Sequence, residues 1–156
     1  MSIQVKVLLT FVIAVLIAGV LGSIFQTQIN LAHLRDIGPP VNFMSRLDST
    51  WHDLTHFAPI YSAIILATFS IAIPLAEFIA RKIPGHRMFW LVLAASSGLW
   101  VAFQLINYLA PMPTFIAATR TLGGTLLLLL AAAIGAVFYT LRTPHLNSPA
   151  DEEESA

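Results

Sequence analysis

The chain has 156 residues, of which 57% are apolar and only 10% charged, with a net charge of zero and no cysteine. Soluble globular chains carry about 25% charged residues, so a surface this poor in charge suits lipid better than water, and no basic block is present to neutralise a nucleic acid. Without cysteine there are no disulfides, thiolate metal sites or thiol–disulfide chemistry. The fold class these numbers imply is an all-α integral membrane protein. Residues 1–142 are expected to form one four-helix bundle, with transmembrane spans at about 5–25, 57–80, 88–109 and 115–141. An outer cap is expected at 26–56 and a disordered acidic tail at 143–156.

The first span reads VKVLLTFVIAVLIAGVLGSIF, with Lys6 as its one charge. About 20 apolar residues cross a ~30 Å hydrocarbon core. Lys6 and Gly22 also fit a signal peptide, but the apolar run is longer than a usual signal core and lacks a clean small-x-small cleavage site, which favours an uncleaved anchor. Ala14, Ala18 and Gly22 form a ladder of small residues that lets a neighbouring helix come close. Neither glycine nor proline occurs between Ser23 and Ile37, whereas Gly38, Pro39 and Pro40 end a helix. A helix over 5–37 is roughly 50 Å long. It overshoots the bilayer and carries Gln26, Gln28, Asn30 and His33 past the surface, with Arg35 suited to the dipole of the last turn.

The stretch 26–56 holds three of the five histidines, and three of the four acidic residues that precede the tail. Within it, 45–55 reads as a separate amphipathic helix, started by a Ser45–Asp48 capping pattern. Met44, Leu47, Trp51, Leu54 and Ala58 share one face; Asp48, Ser49, His52, Asp53 and His56 take the other. The segment is too short and polar to cross, so it is expected to lie in the interface with Trp51 among the headgroups.

In the second span, Pro59 fits a first turn and Pro74 a kink. Glu77 and Arg81, one turn apart, are expected to pair. The third span carries the ladder Ala94, Gly98 and Ala102, with Gln104 and Asn107 near its far end. Pro111 and Pro113 then break the chain and Thr114 is placed to cap the fourth span, which has Arg120 near its start and Ala131 and Gly135 on a close-packing face. Lys6, Arg81, Lys82, Arg87 and Arg142 fall on one side of the spans, against Arg35, Arg46 and Arg120 on the other. The positive-inside rule then puts both termini in the cytoplasm and the 26–56 stretch outside; with the membrane taken as a bacterial inner membrane, outside is the periplasm.

Three sets of residues invite chemistry. Asp48, His52 and His56 follow one another at steps of four, on one helix face, and imidazole with carboxylate suits zinc or another divalent metal. His33 is a possible further ligand. The glutamate of a zinc-protease HExxH is missing, and a wet helix face explains the same residues without any metal; proton handling by His52 or His56 is a third option. Arg120 is expensive inside an apolar helix. It is expected to face inward and pair with Asp48 or Asp53, or else to hold an anionic headgroup or substrate. Gln26, Gln28, Asn30, Gln104 and Asn107 all fall at the outer level, where with Arg120 they line a polar ligand pocket or join helices by hydrogen bonds. The spans carry no mid-membrane charge for a proton-driven transporter and no clear haem-ligating histidine. No nucleotide-binding loop or nucleophile elbow is present.

The function these features favour is that of a non-enzymatic accessory or assembly subunit, which uses its outer cap to meet a membrane protein partner or a copy of itself, with no cofactor. The alternatives are a protein that binds or moves a lipid, amphiphile or small anion through Arg120, and a metal-dependent membrane enzyme using Asp48, His52 and His56.

Overall fold

Residues 3–38, 42–83, 85–110 and 116–143 are described by a computed structural model of the chain. Helix α1 (Ile3–Ile37) is followed by α2 (Phe43–Lys82), α3 (Arg87–Leu109), a short 3-10 turn (Ala117–Arg120) and α4 (Leu122–Arg142). These four α helices are each long and apolar enough to cross a membrane, and no strand occurs among the described residues. Each packs on its neighbours in the order α1, α2, α3, α4 and back to α1, so the helices form a closed ring of antiparallel neighbours.

The helices differ in length: 35 and 40 residues for α1 and α2, against 23 and 21 for α3 and α4. At 1.5 Å per residue these are roughly 52, 60, 35 and 32 Å. The excess of α1 and α2 lies at one end, where they pair with each other. Thr27 donates to Asp53 Oδ2 at 2.7 Å and Gln28 Nε2 to Thr50 Oγ1 at 3.2 Å, and Leu31 is buried. A two-helix hairpin thus stands on a four-helix bundle. We call this the hairpin end and the opposite one the terminal end.

The hairpin corrects the expectation of a separate cap helix. The 45–55 segment is the beginning of α2 itself, and both Pro59 and Pro74 lie inside that helix. The helix starts at Asn42, whose side chain accepts from the Ser45 amide at 2.7 Å, so the Ser45–Asp48 capping pattern is not the one used. An interior proline removes one backbone bond, but α1 grips α2 on both sides of Pro59. On its N-terminal side are the bonds of Asp53 to Thr27 and of Thr50 to Gln28. On its C-terminal side the Tyr61 ring lies against Gly22, where a Cβ would come within 2.2 Å of Cε1. The continuous partner thus holds both parts of α2 against α1.

The core is built of large side chains set against small ones. Tyr61, Ile65 and Phe69 of α2, Leu91, Leu99 and Phe103 of α3 and Leu128 of α4 are fully or almost fully buried, together with Ala14, Ala18, Ala132 and Ala136. The small ladders are where backbones meet: a Cβ on Gly135 of α4 would sit 2.7 Å from Ala14 O and 2.9 Å from Ala18 Cβ.

Helix α4 begins later than the sequence suggests. Its cap is Thr121, whose side chain accepts from the Gly124 amide at 3.1 Å. The preceding 3-10 turn folds so close that a Cβ on Gly124 would be 2.1 Å from Ala118 O. Arg120 therefore precedes α4 and is exposed, which corrects its expected place inside the helix and facing inward. Arg120 is instead the last residue of the 3-10 turn, directly before the Thr121 cap. The expected roles of Pro39, Pro40, Pro111, Pro113, Thr114 and the tail beyond Thr143 lie outside the described residues.

Candidate functional site

The hairpin end carries a polar seam between α1 and α2. Ser23, Gln26 and Thr27 fall within little more than one turn of α1 and all three are buried, as is Tyr61 on α2. The Thr27 hydroxyl lies 2.7 Å from Asp53 Oδ2 and 2.9 Å from Ser23 O, so its single proton is shared between two acceptors. Asp53 thus has a partner other than the arginine expected for it. Tyr61 stacks between Phe57 and Phe103, at centroid distances of 5.5 and 6.5 Å. Gly22, lacking a side chain, lets that ring lie across the α1 backbone. Ser23 Oγ, Gln26 Oε1 and Tyr61 Oη are buried with no hydrogen-bond partner among the described residues. Such an atom costs about 1–3 kcal/mol when left unmatched.

Of the amides expected to line a pocket, Gln26 and Gln28 reach this seam. Asn30 and Asn107 are half-buried and Gln104 is exposed, and among the described residues none of the three hydrogen-bonds to it. The histidines sit outside. His52 and His56 are exposed and stack face to face at 4.2 Å, with His56 Nδ1 2.8 Å from Thr55 Oγ1 and 3.0 Å from His52 O. Asp48 and His33 are exposed too. Among the described residues no three histidine or acidic side chains converge as metal ligands.

On the outer part of α2, a different feature stands out. The face that α2 buries in the bundle runs through Ala76, Ala72, Phe69, Ile65 and Ala58, and it continues at the same steps of three and four through Leu54, Trp51, Leu47 and Met44. Leu54 is half-buried, but Trp51, Leu47, Met44 and the adjacent Phe43 are 66, 56, 70 and 76% exposed. The same stripe packs on α3 lower down, where Ala72 lies against Gly98. Above the ends of α3 and α4 nothing covers it among the described residues.

The terminal end is organised around Arg87, the first residue of α3. Its Nε lies 3.1 and 3.0 Å from the two oxygens of Glu77. Nη2 contacts Glu77 Oε1 and donates to Thr143 Oγ1 at 2.8 Å, while Nη1 donates to the carbonyls of Thr140 and Thr143 at 3.2 and 3.0 Å. Both charged residues are buried. Arg81, the expected partner of Glu77, is exposed instead. Glu77 faces the interior, and Arg87 enters that interior from the next helix. The planar fork of Arg87 also meets carbonyls that the C-terminal turn of α4 leaves without helical partners.

No family model matches the chain, and neither a curated protein nor a solved structure is similar to it.

Proposed function

We propose that the protein is a non-enzymatic membrane subunit that binds the extramembrane part of another membrane protein through its α1–α2 hairpin. The observation that carries this reading is the uncovered stripe Phe43, Met44, Leu47 and Trp51, which continues a core face past the end of the bundle. Four large exposed apolar residues in one row form a patch of roughly the size that marks an interaction site on a soluble surface.

The height of the stripe bears on what covers it. The end of α3 is level with Ile60, since Leu109 and Ala110 line one groove with Ile60 and Ala63. Leu47 stands about 20 Å beyond that level and Phe43 about 25 Å at helical rise. Headgroups extend only about 5–8 Å past the hydrocarbon, so lipid does not reach there. A second copy upright in the same bilayer brings its own α3 and α4 between the two stripes. An apolar helical face of a different protein, seated on top of α3 and α4, meets both constraints. The excess of lysine and arginine at the terminal end supports an orientation with that end in the cytoplasm and the hairpin outside.

Photo-crosslinking from position 47 in intact cells tests this reading. The expected product is one adduct of defined mass with another protein, absent when the crosslinker is placed at Ile71, on the exposed lipid-facing side of α2. Monomer with lipid adducts only, or a dimer of this chain, overturns it.

A further inference from the structure

The three unmatched polar atoms of the seam are not scattered. Ser23 and Gln26 are one turn apart on α1, and Tyr61 lies against Gly22 of that same turn. We infer that this part of the interior is a hydration site, in which Ser23 Oγ, Gln26 Oε1 and the Tyr61 hydroxyl hold ordered water between α1 and α2.

The chemistry of the three groups selects the ligand. A tyrosine hydroxyl has a proton to give, an amide oxygen only accepts, and a serine hydroxyl does both. A molecule that accepts from one, donates to the next and matches the third needs both protons and lone pairs in a small volume, which is the description of water. Buried water typically makes two to four such bonds. All three residues are more than nine-tenths buried, at 1, 6 and 0% exposure, so bulk solvent does not satisfy them. An ion is a poorer match, since the three groups are neutral and the nearest carboxylate, on Asp53, is already engaged by Thr27.

The site also has a route to the surface. Thr27 contacts both Ser23 O and Asp53, and Asp53 is half-buried at the base of the hairpin. Polar groups therefore continue from the hairpin surface, through Asp53 and Thr27, to Ser23, Gln26 and Tyr61. This inference is independent of what binds the hairpin.

Radiolytic hydroxyl-radical footprinting of the intact protein in detergent reads bound water directly, because radicals form from the ordered molecules themselves. Tyr61, although fully buried, is expected to be modified several-fold faster than the equally buried Phe69 and Phe103. Equal silence at all three overturns the inference. A second measurement uses Tyr61→Phe and Gln26→Leu, which remove a polar atom at nearly constant shape. If water is bound, each substitution strands the remaining partners and lowers Tm by about 2–4 °C. If the atoms are unmatched, each substitution removes a penalty and raises Tm, which also overturns the inference.

Discussion

The two ends of the bundle solve opposite problems with similar residues. At the terminal end a buried arginine and a buried glutamate are joined to each other and to two carbonyls and a hydroxyl of the last turn of α4. Charge is enclosed and matched there, and three helices are tied together. At the hairpin end the buried polar atoms are neutral and, among the described residues, three have no partner, against Trp90 Nε1 near the terminal end, while large apolar side chains stand uncovered. A closed cluster of the first kind is what a structural clamp needs. The second kind leaves capacity for something from outside the chain.

The largest effect separates the ends by stability. Arg87→Met leaves Glu77 as an uncompensated buried charge, and such single truncations cost roughly 3–5 kcal/mol. The double substitution with Glu77→Leu removes both charges and is expected to recover most of that loss, since an apolar replacement of a buried pair is often neutral. Chemical unfolding in detergent micelles measures both. A double variant no better than the single one breaks the account of Arg87 as a clamp. Next comes Gly135→Leu, which drives a side chain into Ala14 and Ala18. Overpacking of this kind costs about 1–3 kcal/mol, and a thermal shift below one degree would show that α1 and α4 do not approach so closely.

Much of this architecture is legible in the sequence, because apolar runs and small-residue ladders carry their own period. The four helices, the extension of α1 to Ile37 and the packing use of Ala14, Ala18 and Gly135 can be read directly. The start of α2 cannot. Pro59 and a change from polar to apolar composition point to a boundary, whereas pairing with α1 on both sides of that proline makes the helix continuous. The clamp is hidden for a related reason. Arg87 reads as one of three charges in the connector RKIPGHR, and Glu77 has a nearer arginine in sequence at Arg81. Only the packing of α2, α3 and α4 shows which arginine turns inward. Ser23, Thr27 and Tyr61 give no signal at all within an apolar span, since a hydroxyl there bonds as readily to its own helix. Gln26 and Gln28 do stand out as amides, and both reach the seam.

Smaller effects belong to the hairpin end. Thr27→Val keeps the shape and removes the donor to Asp53 Oδ2. Because Asp53 is half-exposed, water replaces part of the bond, and the loss is expected near 1 kcal/mol. Denaturation of this variant, of Asp53→Asn and of Thr27→Val/Asp53→Asn tests the pairing, since additive losses would mean that the two side chains do not interact.

The smallest stability effect is expected where the reading of function is most exposed. Leu47→Ser and Trp51→Ser alter side chains that touch little of the bundle, so the change in stability should stay within about 0.5 kcal/mol in either direction. Recovery of the partner adduct, reported from a crosslinker at position 44, should nevertheless fall several-fold in the double variant. These two readouts separate an idle stripe from a covered one. A core stripe that merely runs past its bundle gains slightly in solubility from serine and loses nothing else. A stripe that another protein covers loses its contact while the chain remains folded. If the double variant unfolds by several kcal/mol, the stripe is part of this chain's own packing, and the difference between a closed end and an open end disappears.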